Sequence, residues 1–365
     1  MDEAVAVALF LAVTAYAVLA GADLGAGFWD LVAGGADRGA RPRALIDHAI
    51  GPVWEANHVW LIFALVVLWT AFPEAFASIT LTLFVPLTLV ALGIVLRGAG
   101  FAFRKSLVRT SERRAFGALF ATSSVLVPYG MGAVAGAIAS GRVPAGGEAG
   151  DPVTSWVNPT SVVGGVLAVA AGAYLAAVYL VWDARRLADD AAVEYFRRRA
   201  VGAAVAAGAT ACAGVVVLRA DARYVFDGMA ARALPLVALS ALGGLGSLAL
   251  LVRGAAGSRA PRGARLLAVG AVASIVWGWG VAQWPYLLPT DLRVSEAAAP
   301  SATLATVLVV FGVAAVVIGP ALALLYALDQ RSLLPDEPDA PGAPGGPAAG
   351  PPGRRRPPAR AAPGR

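Results

Sequence analysis

Long apolar runs alternate with short polar connections from one end of this chain to the other. Runs of roughly 20 apolar residues have the length that an α-helix needs to cross about 30 Å of hydrocarbon. They predict spans over 5–31, 47–71, 76–98, 115–139, 161–182, 200–218, 233–252, 264–285 and 303–327. The expected fold is therefore all-α, a polytopic transmembrane helix bundle of about nine spans covering residues 1–330. Residues 331–365 are rich in Pro, Gly, Ala and Arg with almost no large apolar side chain, so they predict a disordered tail. Asp2 and Glu3 precede the first apolar run where a cleavable signal would carry basic residues, which predicts a retained helix.

An odd number of spans puts the two ends of the chain on opposite sides, and the basic residues of the connections give the direction. Arg38, Arg41 and Arg43 mark the first loop, Arg104, Lys105, Arg109, Arg113 and Arg114 the third, Arg185, Arg186 and Arg197 to Arg199 the fifth, and Arg253, Arg259, Arg262 and Arg265 the seventh. The alternate loops carry little net positive charge: Arg142 stands alone, Asp221 and Asp227 offset Arg219, Arg223 and Arg232, and Arg293 lies between Asp291 and Glu296. The positive-inside rule then places the N-terminus outside and the C-terminal tail in the cytoplasm.

Composition sharpens this picture in two ways. With 58% hydrophobic residues, 14% charged and a mean hydropathy of +0.71, the chain is too apolar for a soluble domain. The net charge of +6 is concentrated in the basic loops and the tail, so it reports topology and does not indicate nucleic acid. The single cysteine, Cys212, excludes a disulfide framework. Two His, one Cys and three Met cannot supply axial ligands for several haems or a set of metal ligands, so neither haem nor metal ligands are expected in this chain. No Gly-rich phosphate loop is present to drive transport with ATP. Close Gly and Ala spacing, as at Gly132 and Gly136 or at Gly243, Gly244 and Ser247, predicts tightly packed helices.

Ionisable side chains inside a span cost roughly 2.5–3.5 kcal/mol on insertion scales, so each needs a partner or a purpose. Asp23 lies in GADLGAGFWD near the basic end of the first span, and Glu55, Asn57 and His58 lie in the same half of the second. His48 and Glu55 are two helical turns apart and His58 follows Glu55 at a neighbouring position, which makes a polar stripe interrupted by Trp54 and Trp60. The stripe suits a proton relay or polar cavity, and equally a helix–helix hydrogen-bond network without traffic. Arg97 reads as a side chain snorkelling to the interface, and Trp277, Trp279, Trp284 and Tyr286 as an interfacial aromatic belt.

The segments GADLGAGFWD and IGPVWEANHVWLI resemble the first-span G-F-D-x-G-x-G and second-span P-x-W-D-G-N-x-x-W motifs of subunit II of the cytochrome bd-type quinol oxidases. Asp23, Gly25, Gly27, Pro52, Trp54, Asn57 and Trp60 fall on those positions. Arg97, Phe101 and Arg104 match after the third span, Ser124, Pro128, Gly132 and Gly136 in the fourth, and Pro285 and Pro289 at the exit of the eighth. Glu55 stands where the family has Asp, Ala56 where it has Gly, and Ala22 where it has an aromatic residue.

The resemblance implies a haem-free subunit II in a heterodimer with a haem-bearing subunit I, in the multi-pass setting of a bacterial plasma membrane. The partner would hold two haems b and one haem d, and a small single-span subunit is a further candidate partner. The complex would oxidise quinol outside, reduce dioxygen to water and draw protons from the cytoplasm. Asp23, Glu55, His58 and His48 would then lie on the proton path, with Trp54, Asn57 and Trp60 lining a quinone site or cavity. Buried carboxylates also suit a secondary transporter, and a bare scaffold for the haem subunit is a third reading.

Overall fold

The computed structural model describes residues 1–50, 54–106, 110–254 and 261–330. The predicted tail at 331–365 lies outside the described residues, as do Pro52, Arg109, Arg259 and the side chains of Trp54, Glu55, Arg104, Lys105, Arg113 and Arg262. Thirteen helices and one small hairpin follow in order among the described residues: α1 (Asp2–Leu31), α2 (Ala36–Ile50), α3 (Trp54–Ala71), α4 (Pro73–Thr82), α5 (Phe84–Ser106), α6 (Thr110–Ala139), α7 (Pro159–Arg186), α8 (Asp190–Asp221), α9 (Arg223–Ala231), α10 (Leu234–Arg253), α11 (Pro261–Gln283), the antiparallel strands β1 (Tyr286–Leu288) and β2 (Leu292–Arg293), α12 (Val294–Ala297) and α13 (Ser301–Gln330). Eight of the helices are long and apolar enough to cross a membrane, and α3 with α4 supplies a ninth candidate as a pair bent by 117°. The helical membrane bundle is as the apolar pattern predicts.

Three expected boundaries differ, the first being that of the span expected over 47–71, whose residues 47–50 end α2 while α3 begins at Trp54. The apolar stretch 76–98 is divided between α4, which ends at Thr82, and α5, which begins at Phe84. Pro86 causes the break, because it has no N–H for the Thr82 carbonyl and its ring would collide with that carbonyl in a continuous helix. Freed from the crossing, α4 presents Glu74, Ser78 and Thr82 along one face, where they accept hydrogen bonds from the N–H groups of Gly146 (3.0 Å), Gly147 (3.1 Å) and Gly150 (3.0 Å). The first basic connection, expected as a loop, is largely the helix α2, and Arg41 and Arg43 on it pair with Asp189 (2.6 Å) and Asp30 (2.7 Å).

Helix α1 packs against α3, α6, α7 and α11, which places it inside the bundle. Glycines set its closest approaches: a Cβ on Gly25 would strike the Gly172 backbone of α7, and one on Gly27 the Ser124 side chain of α6. Beside the first contact the Trp29 indole donates to the Ala173 carbonyl at 2.8 Å. Gly132 and Gly136 likewise meet α7, and Gly243 meets α11, whereas Gly244 faces open space. The ends of the bundle differ in charge. One gathers α2, the α7–α8 turn and the end of α10, where Arg197 donates to the Leu251 carbonyl at 3.2 Å. At the other, Arg142 pairs with Asp221 (2.5 Å) and Arg223 with Asp227 (3.0 Å), offsetting charges that the sequence already balances.

Candidate functional site

Arg97 of α5 does not snorkel. Its side chain is 1% exposed and turns into the bundle, where Nη2 donates to Asp23 Oδ1 at 2.7 Å and to the Asp23 carbonyl at 3.4 Å. Nε donates to Ser124 Oγ at 3.1 Å, and the Ser124 hydroxyl donates onward to the Phe120 carbonyl at 2.7 Å. The guanidinium carbon also sits 4.9 Å from the centre of the Phe120 ring. A carboxylate two turns inside a span thus has a full countercharge, and three helices, α1, α5 and α6, hold the pair. Snorkelling fails because Arg97 lies nine residues before the end of α5, roughly 13 Å from it, with a carboxylate much nearer than water.

Asp23 Oδ2 is buried and has no hydrogen-bond partner among the described residues. Three further polar atoms share that condition on the neighbouring part of α1 and α3: the Tyr16 hydroxyl, His58 Nδ1 and Trp60 Nε1. The Tyr16 and His58 rings lie 6.0 Å apart. The buried Asn57 amide donates to the Leu19 carbonyl at 3.4 Å and so ties α3 to α1 at this level. Trp60 packs against the apolar cluster containing Tyr16, Ala20, Leu24, Val90 and Val127.

Asn57 and His58 of α3 therefore meet α1 at Leu19 and Tyr16, Trp60 packs on the cluster that includes Tyr16, and Asp23 lies two turns from Tyr16 on α1. His48 is exposed on α2. Residues 51–53 and the Glu55 and Trp54 side chains lie outside the described residues, and with them the stripe expected from His48 to Glu55. Arg97 and Tyr16 are the members that sequence reasoning missed. The aromatic residues expected as a belt also pack within the bundle: Trp277 and Trp279 both lie on Phe10 of α1, with ring centres 6.0 and 5.7 Å apart, and Tyr224 packs edge-on against Tyr286 at 5.4 Å. The first-span apolar ring reaches α11 because Gly280 leaves room for it. Among the described residues no three His, Cys, Asp or Glu side chains group as a metal site.

Fold and site together define a multi-pass helical membrane protein with a desolvated acid–base pair in one half of its bundle. The family profile described as cytochrome bd terminal oxidase subunit II matches residues 1–328. The chain belongs to that family. Cytochrome bd ubiquinol oxidase subunit 2 of Bacillus subtilis (strain 168) is 26% identical over 125 residues, 34% of this chain and 37% of that protein. Cytochrome bd-I ubiquinol oxidase subunit 2 of Escherichia coli (strain K12) is 32% identical over 98 residues, 27% of this chain and 25% of that protein. These alignments span about a third of the first relative and a quarter of the second. The fold comparison is wider: a chain in the structure of bd oxidase from Geobacillus thermodenitrificans superposes with a TM-score of 0.70 at 22% identity, covering 90% of this chain and 98% of that one.

Proposed function

We propose that this chain is the proton-side subunit of a quinol-oxidising, dioxygen-reducing complex in a bacterial plasma membrane. In this reading a partner subunit I holds two haems b and one haem d, and this chain stabilises it and takes up protons from the cytoplasm for the reduction of dioxygen to water. The single observation that carries the proposal is Asp23: a fully buried carboxylate with one oxygen on Arg97 and the other without a partner among the described residues. A carboxylate held only for bracing would have both oxygens bonded, because bare buried acceptors are costly. Asp23 lies eight residues from the end of α1, roughly 12 Å in from the basic face. The positive-inside rule makes that face cytoplasmic, the side from which protons are drawn.

His48 is exposed on α2 while His58 of α3 faces Tyr16 of α1, so the two imidazoles do not oppose each other across a common site. That supports placing the redox centres in the partner. Glu55, His58 and His48 complete the proposed proton path, and Trp54, Asn57 and Trp60 the adjoining quinone or cavity wall.

The test uses the complex purified with its natural partners. Its visible spectrum should carry the bands of haems b and d, and Asp23→Asn should lower quinol-driven oxygen consumption at least tenfold with haem content unchanged. Absence of a haem-bearing partner would overturn the proposal, and proton-coupled solute uptake by the chain alone would favour the transporter instead. Full turnover in Asp23→Asn with normal haem would leave a scaffold.

A further inference from the structure

Asp23 Oδ2, the Tyr16 hydroxyl, His58 Nδ1 and Trp60 Nε1 are four buried polar atoms with no hydrogen-bond partner among the described residues. Folded proteins leave few such atoms bare, and where side chains or backbone do not satisfy them, ordered water does. These four are not scattered. Tyr16 and Asp23 lie two turns apart on α1, and His58 and Trp60 follow Asn57 on α3. The Asn57 contact to the Leu19 carbonyl crosses the seam between the levels of Tyr16 and Asp23. The charges of Arg97 and Asp23 act on both Tyr16 and His58, so these two side chains share the electrostatic environment of the ion pair.

We propose that the α1–α3 seam holds a chain of internal water running from Asp23 Oδ2 to the Tyr16 hydroxyl, along which Tyr16 and His58 relay protons from the carboxylate layer towards the middle of the bundle. The inference rests on the reading of Asp23 as a proton site. Tyr16 sits roughly 10 Å deeper than Asp23 along the helix axis, too far for direct transfer and suited to a few bridging waters. The hydroxyl takes a proton on a lone pair and releases its own to the next water, so Tyr16 ends each transfer unchanged and needs no oxidant. His58 works the same way, accepting at one ring nitrogen and releasing from the other. Trp60 is a donor only. It anchors a water and passes no proton, which sets it apart from its neighbours.

Tyr16→Phe removes the hydroxyl and keeps the ring. In the intact complex it should slow quinol-driven oxygen consumption at least threefold at saturating substrates, raise the solvent deuterium isotope effect, and leave the haem spectrum unaltered. His58→Leu should do the same, and His58→Gln, which keeps a donor and an acceptor, should recover part of the rate. Trp60→Phe should change the isotope effect least of the set. Tyr16→Phe and His58→Leu complexes with wild-type turnover and isotope effect, while Asp23→Asn is slow, would overturn the relay and leave Asp23 as the proton site. If Asp23→Asn is also unaffected, the underlying reading falls with it. Loss of haem in both Tyr16→Phe and His58→Leu would show that the two side chains only brace the helices, and would overturn the relay as well.

Discussion

Arg97 and Asp23 neutralise each other away from bulk solvent, so the consequence of breaking them depends on which partner remains. Taking both charges out of water is expensive, and their attraction returns little more than that cost. Removing one partner strands the other. Arg97→Ala should destabilise the complex by about 3–5 kcal/mol, and adding Asp23→Asn to it should recover much of the loss. A double-mutant cycle on thermal denaturation of the purified complex reads this directly; additive effects of the two substitutions would show that the pair is not coupled. Arg97→Lys should fall between, since it keeps the charge but loses the Nε donor to Ser124. Asp23 is legible in the sequence because a carboxylate within an apolar run has few innocent explanations. Its partner is not, because Arg97 lies 74 residues away and the rotation of α5 about its axis is a tertiary property. Tyr16 is hidden for a different reason: a tyrosine in a span ordinarily reads as an aromatic anchor at the interface.

The elements follow the apolar pattern wherever length alone decides, and depart from it where a break sits inside continuous apolar sequence. Residues 76–98 contain no charge before Arg97 to mark the boundary between α4 and α5, and Pro86 is the one local signal of it. The Glu74, Ser78 and Thr82 stripe had meaning only once the 146–150 connection was seen to lie on it. Helix α2 is hard to read from the apolar pattern because its 15 residues lack the apolar length of a span. Glycine spacing, by contrast, carried real information about packing, and it separates two substitutions that look alike in sequence. In Gly25→Ala the new methyl meets the Gly172 backbone, which cannot turn aside as a side chain would, so α1 and α7 must part. The expected cost is about 1–3 kcal/mol, seen as a lowered melting temperature of the purified complex. Gly244→Ala adds its methyl to open space and should be neutral or slightly stabilising. Equal effects at both positions would refute the close approach of α1 and α7 as the reason for Gly25.

At the scale of the molecule, the two ends of the bundle carry different electrostatics, and the proposed function depends on which end faces the cytoplasm. The basic end collects arginines beyond what Asp30, Asp183, Asp189, Asp190 and Glu194 neutralise, whereas at the other Arg142 and Arg223 are each matched by a carboxylate. Because Asp23 lies nearer the basic end, orientation and proton uptake stand together. Leu187, exposed in the α7–α8 turn, and Glu148, exposed in the α6–α7 connection, report the two faces. In a Cys212→Ser background, Glu148→Cys should react with a membrane-impermeant maleimide in intact cells, while Leu187→Cys should react only in inverted vesicles. The opposite pattern would put Asp23 on the outer side, and a carboxylate there could not draw protons from the cytoplasm over the short distance from the basic face that the structure provides.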